Sequence, residues 1–364
     1  MKFAIYYKPL ALVLIFLSLV SCKKTENESN NDPANLSVQV TVSDTDDFTV
    51  IVTATAENTT EYRLYIDEAT EPVATNSTGQ FEYTFTQEGM HKVEVRAYGA
   101  SGKYLKYTSE IPIGSTEVPL ENGYTTPMQY SGMQLVWNDE FDGTQINTDY
   151  WTFETGAGGW GNNEMQYYRR ENAWAEGGTL TIEARKESFQ GSSYTSTRMI
   201  TKNKKSFKYG RVDIRALLPK GQGIWPALWM LGDNISSVGW PKCGENDIME
   251  MIGGGGRENT VYGTIHWEDN TGHAQTGGSS KLATGTYADK YHVFSMIWDE
   301  TSIKYLVDDN QYYVVNITPS HMTEFHQPFF FIFNIAVGGR WPGYPDATTK
   351  FPQRMKVDYI RVFQ

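Results

Sequence analysis

"GENDIMEMIG", residues Gly244–Gly253, sets three carboxylates, Glu245, Asp247 and Glu250, inside an otherwise apolar run. The run has the composition of a buried strand. Side chains alternate along a strand, so Glu245 and Asp247 share a face. Glu250 stands an odd number of positions from both. A regular strand would send it to the opposite face, which Ile248 marks as core. A lone carboxylate there is costly unless its pKa rises or it finds a partner. A β-bulge at Met249 removes the conflict, because one extra residue restores the phase and returns Glu250 to the face of the other two acids.

The bulge leaves the two glutamates effectively four positions apart, about 13 Å along the strand. Long side chains leaning inward close most of that gap. Retaining glycosidases hold two carboxyl groups about 5–5.5 Å apart, one as nucleophile and one as acid/base, and this spacing could meet that need. Clustered acids also push their pKa values apart, so that one keeps its proton while another is ionised. Taken alone, the pattern also fits an exposed acidic strand face or calcium ligands.

The rest of the chain supplies context. It has 364 residues, a net charge of -12 and 10 Trp, 23 Tyr and 17 Phe. No basic tract is present, which argues against a nucleic-acid partner. An acidic, aromatic-rich protein suits a neutral, sugar-like ligand. Residues 1–22 carry Lys2 and Lys8, then "LALVLIFLSLV", then "LVSC" ending at Cys22. This resembles a bacterial lipoprotein signal with lipidation of Cys22, the alternative being an ordinary signal peptide. Residues 23–35 read as a polar tether. The expected location is therefore a lipid anchor in the bacterial outer membrane, with the protein exported and monomeric. Cys243 is the only other cysteine, so an acylated Cys22 leaves no intrachain disulfide.

From 36 to 113, short alternating runs such as "FTVIVTATA", "EYRLYID" and "HKVEVRAYGA" predict a small β-sandwich of six or seven strands. Its pattern resembles immunoglobulin-like or polycystic-kidney-type domains, and a spacer role is expected. Residues 114–132 read as linker. From 133 to 364, eight further runs, among them "TLTIEARK", "TVYGTIHW" and "FFFIFNIAV", predict an all-β, two-sheet sandwich of jelly-roll type with long functional loops.

Several motifs in this second part resemble glycoside hydrolase family 16 in its laminarinase-like branch. "ENDIME" is similar to the family's catalytic signature in its bulged form. "LVWNDEFDG", "GWGNNEMQYY", "YGRVDIRALLPKGQGIWPALWMLG", "PFFFIFNIAVGGRWPG" and "MKVDYIRVF" resemble further family segments in the same order. The resemblance implies a concanavalin-like β-jelly roll with a concave, substrate-binding sheet. It implies Glu245 as nucleophile, Glu250 as acid/base and Asp247 as the residue that orients them. Asn246 departs from the family, which carries an aliphatic residue there. Its amide should face the core and needs partners.

The resemblance also implies sugar contacts from Trp225, Trp341, Asn163, His266, Arg198 and Trp160, whereas Trp229 is expected in the core. Each has a plainer reading as a packing, turn-forming or loop residue. Glu140 and Asp358 resemble positions where the family holds a structural calcium; no other cofactor is expected. The reading is a retaining endo-β-glucanase acting on β-1,3-glucan (laminarin), mixed-linkage β-1,3/1,4-glucan, or both. The alternatives are a family 16 enzyme for another polysaccharide such as a galactan, and a non-catalytic glycan-binding surface lipoprotein.

Overall fold

A computed structural model describes residues 32–43, 48–114 and 118–364 of the chain. The signal segment, Cys22 and most of the tether lie outside the described residues. The chain divides into two compact units. One takes the described residues up to Gln39 with Thr53–Gln80 and Glu94–Thr108; the other takes Val40–Val52, Phe81–Val93 and Ser109–Gln364.

Among the described residues, seven strands lie before residue 114. Ala34–Val42, Thr49–Glu57 and Gln80–Thr84 make one sheet, and Ala74–Asn76, Thr59–Ile66, Gly89–Gly99 and Tyr104–Ile113 make the other. Alternation carries them: Val50, Val52 and Ala54 are buried along one strand while Ile51, Thr53 and Thr55 are exposed.

The larger unit carries two eight-stranded sheets. The site sheet runs Gly272–Lys281, Thr260–Asp269, Glu245–Glu250, Ile224–Gly232, Phe329–Val337, Arg198–Ile200 and Thr152–Glu154, with Ser206–Phe207 paired to Phe329–Val337. The back sheet runs Ala173–Glu176, Thr179–Ala184, Gln353–Phe363, Gly210–Leu217, His292–Trp298, Ser302–Val307 and Asn310–Asn316, with Leu135–Asp139 paired to Gln353–Phe363. All eight strands expected in this part form. Gly272–Lys281, the sequence "GHAQTGGSSK", has too few apolar residues to announce itself and is held by ten register pairs with Thr260–Asp269. Among the described residues the only α-helix is the single turn Ile235–Val238.

Leu228, Met230, Ile248, Ile265, Phe331 and Phe333 of the site sheet share a core with Val212, Ile214, Phe294, Met296, Met355 and Val357 of the back sheet. Each such side chain contributes about 1.5–3 kcal/mol on burial. Phe329–Val337 is buried at all nine positions, and Asn334 is its one polar residue.

Residues 118–132 do not behave as a free linker. The guanidinium of Arg215, 1% exposed, donates to the carbonyls of Leu120, Asn122 and Tyr124. A buried cation needs acceptors, and this segment supplies them, so it belongs structurally with the back sheet.

Candidate active site

The strand Glu245–Glu250 pairs with Ile224–Gly232 on one side and Thr260–Asp269 on the other. Glu245 faces Leu231, Asp247 faces Trp229, and Glu250 faces Ala227. Those partners are two apart, so the three acids share one face. The register shifts between Leu228 and Trp229, where Ile248 has no partner. The bulge is therefore real, but its extra residue is Ile248, not Met249. Ile248 and Met249 both enter the hydrophobic core, which is how the strand turns Asp247 and Glu250 the same way. Gly263 lies opposite the bulge, between the register pairs Asp247–Thr264 and Glu250–Tyr262. A Cβ there would sit 2.5 Å from the Tyr312 hydroxyl and 2.8 Å from the Tyr305 ring, so only glycine fits.

The acids line an open cleft of 860 Å³ over the site sheet. Neighbouring strands face it with period-2 sets: Trp225, Ala227, Trp229 and Leu231; Tyr262, Thr264 and His266; Asn334 and Ala336. Trp229 thus belongs to the cleft floor and not to the core. It shares its face with Trp225, four residues earlier, and its Nε1 donates to Asn334 Oδ1 at 2.8 Å.

Each of the two glutamates accepts a hydrogen bond from a tryptophan. Trp225 Nε1 donates to Glu250 Oε1 at 3.0 Å, and Trp240 Nε1 donates to Glu245 Oε2 at 2.9 Å. Sequence reasoning missed Trp240. It comes from the loop before the strand, where no periodicity applies. Burial first, then the charge of Asp247, pushes Glu245 up to about 8. Burial first, then the charges of Asp247 and Glu245, pushes Glu250 well above the carboxylate range. Asp247 is raised by burial as well. Burial and the neighbouring acids favour a protonated Glu250, as the implied role of proton donor to a leaving group requires.

His266 is the cross-strand partner of Glu245. Its Nε2 lies 3.2 Å from Asp247 Oδ2 and 3.6 Å from Glu245 Oε1. Its Nδ1 is 2.8 Å from His273 Nε2. Arg198 lines the cleft, pairs with Glu154, and lies 5.1 Å from the Trp160 ring centre and 4.7 Å from that of Trp229. Trp341, 41% exposed, stands edge-on to Trp225 at 5.5 Å and to Tyr262 at 5.1 Å.

Asn163 does not line the cleft. It is exposed with φ of 60°, the left-handed geometry that asparagine tolerates in turns. Its neighbours Asn162 and Glu164 face the cleft in its place. Glu164 accepts from Gln166, Tyr168 and Asn162, and burial raises its pKa.

Glu140 and Asp358 do not fit a calcium site as placed. Glu140 accepts from Arg361 Nε at 2.9 Å and Nη2 at 2.7 Å, and Asp358 accepts from Arg215 at 2.7 Å. Both carboxylates are committed to guanidinium groups. Cys243 is a buried thiol that burial pushes up to about 11, which keeps it protonated.

Comparison with known proteins agrees with this geometry. Residues 159–361 match the sequence profile of Glycosyl hydrolases family 16. A beta-glucanase of Rhodothermus marinus is 41% identical over 249 residues, covering 64% of this chain and 85% of that protein. The catalytic domain of an endo-1,3-beta-glucanase (laminarinase) from Thermotoga petrophila RKU-1 superposes with a TM-score of 0.59 and 48% identity, over 64% of this chain and 98% of that one. The clotting factor G alpha subunit of Tachypleus tridentatus is 43% identical over 236 residues, but the match spans only 34% of its length. A strand that bulges to bring three acids to one face of a β-sandwich cleft, and a profile match over more than half the chain, lead to one conclusion: this chain belongs to glycoside hydrolase family 16 and is a glycoside hydrolase.

Proposed function

We propose that the chain is a retaining endo-β-glucanase for β-1,3-glucan of the laminarin type, mixed-linkage β-1,3/1,4-glucan, or both. One observation carries the reading most: Glu245, Asp247 and Glu250 face a single open cleft, and each glutamate is held by its own tryptophan. Glu245 attacks the anomeric carbon while Glu250 gives its proton to the leaving oxygen. Glu250, now ionised, takes a proton from water, whose oxygen bonds to the anomeric carbon and breaks that carbon's bond to Glu245, releasing the sugar with net retention. Asp247 and His266 stand beside the nucleophile and tune its charge. The cleft is open and lined by Trp160, Trp225, Trp240 and Trp341, which suits a long polymer whose C–H faces lie on flat rings. The Rhodothermus and Thermotoga relatives are glucanases by name.

Reducing-sugar release from laminarin, barley β-glucan, lichenan and a galactan tests this reading. Activity on at least one β-glucan and none on the galactan is expected, with Glu245→Ser silent. A wild-type protein that binds these glucans and releases nothing would make it a binding protein.

We also propose that the N-terminal strands act as a spacer and that residues 1–22 are a lipoprotein signal. Fractionation of Cys22→Ala tests the anchor: loss from the membrane supports it, and retention contradicts it.

A further inference from the structure

We propose that Glu245, Asp247 and His266 together form a binding site for a divalent transition metal such as Zn²⁺, and that its occupancy shuts the enzyme off. The geometry points there independently of which polysaccharide is cut; the shut-off itself rests on Glu245 as nucleophile.

The three ligand atoms lie within 4.8 Å of one another. His266 Nε2 is 3.2 Å from Asp247 Oδ2 and 3.6 Å from Glu245 Oε1. Two ligands bonded to one ion at about 2.0–2.1 Å and set at the tetrahedral angle lie about 3.3 Å apart. The two His266 separations bracket that edge, and the Glu245–Asp247 separation lies within 4.8 Å.

Each atom is also free to coordinate. Trp240 donates to Glu245 Oε2, which leaves Oε1, the oxygen nearer His266. Asp247 is 2% exposed, and its Oδ2 makes no hydrogen bond although His266 stands beside it. A buried carboxylate oxygen without a donor is costly, and a cation meets that cost directly. His273 Nε2 lies 2.8 Å from His266 Nδ1. With the proton on His266 Nδ1, donated to His273, His266 Nε2 presents its lone pair to the carboxylates. This is the outer partner that orients a metal-bound imidazole. Two carboxylates and one neutral imidazole match zinc, with a fourth position open to the cleft. An ion held there takes the lone pair that Glu245 needs for attack.

Cobalt(II) added to the full-length protein tests the site without reference to turnover. The expected result is the visible absorption of four-coordinate cobalt, saturating at one equivalent and bleached by Zn²⁺. His266→Ala and Glu245→Gln should each weaken binding at least about tenfold, and His273→Ala about tenfold through the lost orientation. Far-UV circular dichroism checks that each variant folds. Zn²⁺ should lower glucan hydrolysis in step with occupancy, and a chelator should restore it. Absence of the band, or a band of unchanged affinity in both His266→Ala and Glu245→Gln, would overturn the site. Full activity at saturating Zn²⁺ would overturn the shut-off.

Discussion

Asn246 Oδ1 accepts the Tyr305 hydroxyl at 2.7 Å across the interior of the sandwich. The bond runs from the strand Glu245–Glu250 to the back sheet, and Asn246 Nδ2 also lies 2.9 Å from Met296 Sδ. The amide that broke the family pattern is thus satisfied, being 1% exposed and bonded at both ends. Removing Tyr305 strands Asn246 Oδ1, whereas the Tyr305 hydroxyl keeps the Thr264 carbonyl at 3.2 Å as a second acceptor. Tyr305→Phe should cost about 1–3 kcal/mol by leaving Asn246 Oδ1 unbonded. Asn246→Leu alone should cost about 1 kcal/mol or more. The pair of substitutions together should cost less than the sum. Chemical denaturation of the four proteins measures this, and strict additivity would mean that the bond contributes nothing.

The two tryptophan bonds set the two limbs of the pH profile. A donated hydrogen bond favours the ionised carboxylate and lowers its pKa. Trp225→Phe removes the donor to Glu250 and raises that pKa, so the alkaline limb of kcat/KM should move up by about one pH unit. Trp240→Phe removes the donor to Glu245, so the acid limb should move up too. Its shift should be smaller, because Trp240 is 49% exposed. A profile that moves on the wrong limb would reverse the two assignments.

The burial of Glu245 also couples stability to pH. Glu245 titrates near 4.5 when free and is raised to about 8 in the fold. Its folded value is the higher one, so its contribution to stability is full below pH 4.5 and is lost as pH rises towards 8. Glu245→Gln cannot ionise. It should match the wild type near pH 4 and become more stable by more than about 1 kcal/mol by pH 8, levelling off beyond. Denaturation midpoints across that range decide it; a constant difference would mean that the carboxyl is not displaced.

Much of this was legible in the sequence because alternation is a strong signal. The odd spacing of Glu250 demanded a bulge, and a bulge is there. Its placement on Ile248 in place of Met249 was not legible. Both residues are apolar, and only the register against Leu228 and Trp229 separates them. Trp229 failed for a related reason: a tryptophan in an apolar run looks like core until the face of Trp225 is known. Trp240 and Asn162 sit on loops, where no period tells which side chain turns inward.

Deleting Ile248 tests the bulge itself. The shorter strand resumes strict alternation with Glu250 still on the face of Glu245 and Asp247, while Met249 alone points inward and the core loses the buried side chain of Ile248. The fold should lose about 1.5–3 kcal/mol with that side chain, read as a lowered melting temperature, while glucan hydrolysis persists. A folded deletion variant that releases no sugar would mean that the bulge, and not alternation alone, positions Glu250.

The assignment of Glu245 as nucleophile is the point on which the rest depends. Brief incubation with an activated 2-deoxy-2-fluoro-β-laminaribioside slows release of the glycosyl-enzyme, and peptide mass spectrometry then finds the labelled side chain. The label should sit on Glu245. A label on Glu250, or an active enzyme that never acquires one, would contradict the account.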